Sequence, residues 1–370
     1  MGIYLDNAAT TYVYPEVVEI MKQYHKNNFY NPSAGYTNSR RVKEDISAAR
    51  KTIANIINAE PEEIFFTSGG TESDNWVCND AMRKRGHIIT TTIEHKAVLA
   101  TLENYGRKTL VPPDEKGYVS PVKIRSAIRN DTVLVSVMTA NNEIGTIQPV
   151  KKIGEMLVEY GILFHTDAVQ AFSHIPIDVK EIHADMLSAS AHKFHGPKGC
   201  GFLYLSKDAH VDAFIRGGGQ ESGKRAGTEN VAGIMGMAYA AEISANRMKS
   251  EMEWLNKIKS YMTDRILKEI EDVRINGGEE RLPNNMNFSF KDVDGSALLV
   301  MLEIEGIYGS GGSACNTGNK ASYVLEEIKV PEDYIGGSVR LTTDSSMTMR
   351  EAEYVVYKLK KCVDYLRKNK

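Results

Sequence analysis

From Glu63 to Leu205 the chain alternates short apolar runs with segments of helical spacing. The runs are Glu63–Thr67, His87–Thr91, Thr132–Met138, Gly161–His165, Asp185–Ala189 and Gly201–Leu205. Helical spacing is read over Thr71 to about Gly86, Lys96–Tyr105 and Val150–Tyr160. Few architectures accommodate that order. Helices that carry the chain from strand to strand leave the strands parallel. Strands without polar alternation are covered on both faces. The expected fold is α/β, with a mostly parallel central sheet covered by helices. Only a short loop separates the last two runs, so an antiparallel pair is expected there.

After about residue 244 the texture changes. Ala245–Glu271 reads as one long amphipathic helix rich in Lys, Glu and Met, followed by short strands at Asn285–Phe290 and Ser338–Leu341. Thr348 and Glu351 form a capping box, after which Ala352, Val355, Val356, Leu359, Cys362, Val363 and Leu366 share one face. This part is expected to be a smaller α+β domain. A length of 370 residues agrees with two or three domains at about 150 residues each.

Net charge is −3, which removes the electrostatic motive for general binding to nucleic acid or anionic membranes. No stretch reaches the roughly 18 apolar residues of a membrane span. The four cysteines (Cys78, Cys200, Cys315 and Cys362) are far apart and form neither a disulfide framework nor a zinc-binding pattern. A reducing, cytoplasmic location is expected, since the N-terminal MGIYLDNAAT has no secretory character and Asp6 breaks a myristoylation motif. No metal site is expected.

In open α/β sheets ligands sit beyond the carboxyl ends of the strands. There the sequence places Thr67-Ser-Gly-Gly-Thr71, Glu94-His95, Asn141-Asn-Glu143, His165/Asp167/Gln170 and Ser190/His192/Lys193. Ser68-Gly69-Gly70-Thr71 at a helix start suits an anion, through free N–H groups and the helix dipole, or is simply a capped glycine turn. Gly218–Lys224 matches a GxxxxGK phosphate loop, but Arg225 stands where Ser or Thr would bind magnesium, so that reading fails. Lys193 among histidines between two apolar strands suits Schiff-base chemistry, against the plainer reading of a loop lysine. Asp167, at the end of an apolar strand, needs a cation such as a protonated pyridine nitrogen, unless it is a helix cap or a structural ion pair.

The ordered set Tyr4–Thr11, Asn31-Pro-Ser33, Ser68–Asn75, Glu94-His95, Asn141–Gly145, His165–Gln170, Ser190–Lys198, Arg225–Asn230 and Ser313-Ala-Cys315 resembles the cysteine desulfurases of the NifS/IscS type. These are class V members of the fold-type I pyridoxal phosphate enzymes. The resemblance runs through nearly the whole chain. It implies a large cofactor-binding domain over 14–250. A small α+β domain over 1–13 and 251–370 would carry the catalytic cysteine on a loop at about 309–320.

By that resemblance Lys193 holds pyridoxal phosphate covalently, Asp167 pairs with the ring nitrogen, Gln170 bonds the phenolic oxygen and His95 stacks on the ring and shuttles protons. Gly70, Thr71, Ser190 and His192 serve the phosphate. Thr228 reaches the phosphate of the other subunit, which implies a homodimer with shared sites. Arg340, assisted by Asn142, clamps the carboxylate of L-cysteine. Cys315 lies among small polar residues, Gly309 to Gly318, and receives the substrate sulfur as a persulfide while alanine leaves. A sulfur-acceptor protein then removes it, for iron–sulfur cluster assembly or tRNA thiolation.

Cys78, Cys200 and Cys362 are expected to be buried, small hydrophobes. Gly311 and Tyr36 depart from the Ser and His common in the family. The alternatives are selenocysteine lyase, cysteine-sulfinate desulfinase, a class V aminotransferase (disfavoured by Cys315) or a sulfur-relay scaffold without turnover (disfavoured by intact Lys193, Asp167, His95 and Cys315).

Overall fold

The computed structural model describes residues 2–311 and 322–369. Its strands are β1 (Ile3–Tyr4), β2 (Ile64–Thr67), β3 (His87–Thr91), β4 (Lys108–Val111), β5 (Thr132–Ser136), β6 (Leu163–Asp167), β7 (Met186–Ser190), β8 (Gly201–Leu205), β9 (Val273–Ile275), β10 (Asn285–Phe290), β11 (Ile307–Tyr308) and β12 (Ser338–Thr342). The helices are α1 (Pro15–Lys26), α2 (Thr37–Ile56), α3 (Gly70–Arg83), α4 (Lys96–Leu99), α5 (Pro121–Ala127), α6 (Val150–Val158), α7 (Val231–Glu269), α8 (Gly295–Ile304), α9 (Tyr323–Glu327), α10 (Glu332–Ile335) and α11 (Met349–Lys368).

Seven strands form the central sheet in the order β2-β8-β7-β6-β5-β3-β4. Strands β4, β3, β5, β6 and β7 run parallel, while β8 lies antiparallel between β7 and β2. The expected α/β architecture and the antiparallel position of Gly201–Leu205 are both present. Every residue of β2, β3, β7 and β8 is buried, which is why these runs carry no polar alternation. Because all strands but β8 point the same way, Thr67, Thr91, Ser136, Asp167 and Ser190 end on one edge. That common edge brings the polar groups together.

Two helices differ from the expectation. The long helix starts at Val231, well before Ala245, with Asn230 as its N-cap accepting from Gly233 N. Its first half, with buried Ala232, Gly233, Ile234, Gly236, Met237, Ala238, Ala240 and Ala241, packs against α1 and α2. A segment buried on several sides shows no single apolar stripe. Its second half contributes Ile258, Met262 and Ile266 to a different core, with Phe288, Val339, Leu341 and the apolar face of α11. The other helix, Lys96–Tyr105, keeps only its first turn as α4. Thr101 Oγ1 donates to the Ala97 carbonyl at 2.7 Å, and the chain then tightens into i→i−3 turns at Glu103 and Tyr105. The capping box of α11 forms as expected, and Cys78, Cys200 and Cys362 are buried thiols.

One close approach fixes the geometry of the site. Gly201 opens β8 against the loop before α3, and a Cβ there would lie 2.6 Å from Gly69 Cα and 2.5 Å from the Ala189 carbonyl. Backbone on both sides leaves nothing to rotate away. Gly201→Ala is expected to cost about 1–3 kcal/mol. Thermal unfolding should show this as a fall of several degrees.

Candidate active site

A cavity of about 540 Å³ opens at the carboxyl edge of the sheet. Its lining comes chiefly from the N-terminal strap, the loop into α3 and its first turns, and the ends of β6 and β7, together with His95, Asn142, Lys198 and Arg340. Of the residues expected in the site, Gly70, Thr71, His95, Asn142, Asp167, Gln170, Ser190, His192, Lys193 and Arg340 all face this one cavity. Thr228 does not. It is exposed and lines a smaller cavity of about 200 Å³ with Ser68, Gly199 and Arg225. Cys315 lies outside the described residues.

The wall of the cavity is built from the strand ends. Gly69 has φ 151°, which brings the backbone over the sheet edge before α3 begins at Gly70. Behind the loop, Glu72 accepts from Ser68 N at 2.8 Å and from Arg225 Nε at 2.8 Å and Nη2 at 3.1 Å. Burial raises the Glu72 carboxyl, but its bonds to Arg225 and Ser68 outweigh that and leave it below the usual range. The loop is therefore fixed by an anion already paired with Arg225, which leaves the first N–H groups of α3 for a ligand. The GxxxxGK stretch, by contrast, turns through Gln220–Gly223, where Glu221 accepts both Arg50 guanidinium nitrogens at 2.8 Å. Lys224 Nζ donates to the Val211 carbonyl at 3.2 Å. That stretch is structural.

Asp167 closes the floor. It is 5% exposed, and Oδ1 accepts from Val169 N at 2.8 Å. Burial raises its carboxyl above the usual range, and the opposing pull of His95, the Val169 N–H and Lys193 offsets only part of that rise. His95, the N-cap of α4, accepts from Ala97 N on Nδ1 at 3.1 Å. Burial lowers its pKa, so the neutral ring carries its proton on Nε2. One ligand-type atom each of Asp74, His95 and Asp167 lie within 4.8 Å of one another.

The N-terminal strap, residues 5–14, is a component the sequence reading missed. Lys193 Nζ donates to the carbonyls of Ala8 at 2.5 Å and Ala9 at 2.9 Å, and Gln170 Nε2 donates to Ala8 O at 2.9 Å. Thr11 N donates to the His192 carbonyl at 2.8 Å, and Thr10 Oγ1 lies 3.2 Å from His192 Nδ1. Backbone carbonyls have no signature in sequence, so only the quoted Tyr4–Thr11 motif could have drawn attention to this segment.

Arg340, 1% exposed, holds the far side. Nη1 donates to the Asn142 carbonyl at 2.9 Å and Nη2 to Asp6 Oδ1 at 2.6 Å. Nε of Arg340 and Oδ1 of Asn142 are buried without a hydrogen bond. A buried guanidinium with a spare donor is a ready partner for a carboxylate. Asp6 is a second residue that the sequence reading assigned no role.

Burial holds His192 down to about 4, with Lys193 and Lys198 acting in the same direction. Between pH 6.5 and 4 the unfolded chain therefore binds a proton at this position that the folded chain refuses, so His192 costs stability as pH falls. His192→Gln is expected to gain on the wild type as urea unfolding is moved from pH 7 to pH 5. A difference independent of pH would contradict this.

The aminotransferase class-V family model matches residues 3–355. A cysteine desulfurase IscS of Clostridium botulinum strain Hall is 47% identical over 373 residues, covering 98% of this chain and 94% of that protein. A cysteine desulfurase IscS of Methanosarcina thermophila is 47% identical, covering 99% and 93%. A solved structure described as a NifS-like protein superposes with a TM-score of 0.93 at 35% identity, over 99% of this chain and all of the other. The chain belongs to the class-V aminotransferase family of fold-type I pyridoxal phosphate enzymes, and its relatives there are the proteins named cysteine desulfurase.

Proposed function

We propose that this chain is a pyridoxal phosphate-dependent cysteine desulfurase that converts L-cysteine to L-alanine and passes the sulfur to Cys315 as a persulfide. The observation that carries the reading is the convergence of Lys193, Asp167, His95 and Arg340 on one cavity, from elements far apart in sequence. The cavity suits the cofactor. The start of α3, with Thr71, Ser190 and His192, would take its phosphate. Asp167 is a buried anion still in need of a cation, and Gln170 stands beside it. When bound, the cofactor supplies the link to the substrate amine and a sink for electrons.

The chain's own groups do the rest. Arg340, already oriented by Asp6 and the Asn142 carbonyl, binds the substrate carboxylate and thereby sets the Cα position. Lys193 Nζ takes the Cα proton. Neutral His95 holds a proton on Nε2 and would present it to the bound cofactor. The Cys315 thiolate then bonds to the substrate sulfur as the Cβ–S bond breaks. One cysteine and one thiol give one alanine and one persulfide, with no external oxidant.

The exposed position of Thr228, outside the main cavity, favours a homodimer in which it serves the neighbouring site. The split of α7 between two cores favours the division into 14–250 and 1–13 with 251–370. The persulfide passes to an acceptor protein serving iron–sulfur cluster assembly or tRNA thiolation. The buried, free thiols of Cys78, Cys200 and Cys362 favour a reducing cytoplasm. Among the described residues no helix is long and apolar enough to cross a membrane.

Alanine release from L-cysteine with a reducing thiol tests the reading. Cys315→Ser is expected to bind the cofactor and release no alanine above background, whereas equal release by both proteins would remove Cys315 from the reaction. Arg340→Lys keeps the charge but loses the fork, and is expected to raise KM for L-cysteine about 10- to 100-fold with a smaller change in kcat.

A further inference from the structure

Beside Asp167, on the same cavity, lies a second carboxyl group that the reaction as described does not use. Asp74, on the second turn of α3, is 1% exposed, and neither of its carboxyl oxygens has a hydrogen-bond partner. Its nearest basic group is His165 of β6, with Nε2 3.6 Å from Asp74 Oδ1. That ring is committed elsewhere: Nδ1 lies 2.8 Å from Ser136 Oγ and Nε2 3.0 Å from Ser188 Oγ. An imidazole between two hydroxyls is satisfied when neutral, with one nitrogen donating and one accepting.

From the geometry we infer that Asp74 is a positioning residue, a buried carboxylic acid that keeps its proton and so confines the negative charge at this end of the cavity to Asp167. The inference rests on the cofactor site described above. Two buried carboxylates within 4.8 Å of each other cannot both ionise cheaply. The two are not equivalent. Asp167 has the Val169 N–H, with Lys193 and His95 close by, and all three favour its anion. Asp74 takes no backbone N–H, and although His95 lies within the same 4.8 Å, neither it nor Lys193 lowers the Asp74 carboxyl.

The other titratable groups facing Asp74 agree. Cys78, one turn further along α3, is a buried thiol raised well above its usual range by burial, with Asp74 and Glu94 adding to the rise. Glu94, after β3, is pushed up to about 8 by burial. Burial holds His165 down to about 3, so it supplies no counter-charge. Burial, then Asp167, raises Asp74 well above the carboxylate range against the opposing Ser188 hydroxyl, which is engaged by His165. The floor therefore presents one negative charge, which would match a single protonated ring nitrogen of the bound cofactor. An ionised Asp74 would leave a surplus charge buried, and a protonated Asp167 would leave the ring nitrogen without its partner.

The test uses the isosteric, neutral variant Asp74→Asn. Infrared spectra of the full chain without cofactor, recorded at pH 7 in light and heavy water, are expected to show in the wild type a protonated-carboxyl carbonyl stretch that Asp74→Asn lacks. In the loaded proteins, the pH midpoint of the bound cofactor's visible band is expected to move by less than about half a unit, because no charge has been removed near Asp167. Should the variant fail to fold, ¹⁵N spectra of histidine-labelled wild type decide, with His165 expected to stay neutral from about pH 5 to 8. An unchanged set of carboxyl bands, a midpoint shift of half a unit or more, or a His165 imidazolium in that range each overturns the inference. Failure of the wild type to take up pyridoxal phosphate would instead strike the functional reading, and the infrared comparison would still stand.

Discussion

A carboxylate at the floor of a cavity must be compensated, and the rest of this site is arranged around that requirement. Asp167 ends β6, the middle strand of the seven-stranded sheet, takes one backbone N–H, and has Lys193 and His95 as its cationic or dipolar company. The neighbouring strand ends bring an anion cradle to the same edge, at a distance fixed by the contact of Gly201 with Gly69. The result is a pocket with a negative floor and an anion-binding rim. That polarity suits a ligand with a cationic ring and an anionic tail.

The N-terminal strap gives this arrangement its coherence. Ala8 and Ala9 lend carbonyls to Lys193 and Gln170, Thr10 and Thr11 hold His192, and Asp6 holds Arg340. A segment of six residues thus spans from Lys193 to Arg340. It is also tied to β12 through the Asp6–Thr342 bridge. A shift of β12 therefore reaches both ends of the cavity through one strap.

Much of this was legible in the sequence, for physical reasons. Strands buried on both faces announce themselves as apolar runs, and the polar residues that follow them mark the sheet edge. Asp167 and Lys193 stood out because a charge next to such a run needs an explanation. The start of α7 was hidden, because a helix covered on several sides by α1 and α2 has no polar face to set its period. The strap was hidden for a different reason. Its contributions are backbone carbonyls and one aspartate paired across 334 residues of chain. Asp74 sat within a quoted motif, but its isolation became visible only when both carboxyl oxygens were seen to lack partners.

The central claim is that Lys193 is the amine to which the cofactor attaches, held at the mouth of a cavity whose floor is Asp167. Borohydride reduction of the loaded protein, followed by peptide mass mapping, tests it most directly. The account predicts a single pyridoxyl adduct on Lys193. An adduct on Lys198, the other lysine lining the cavity, or no adduct on either, would contradict it.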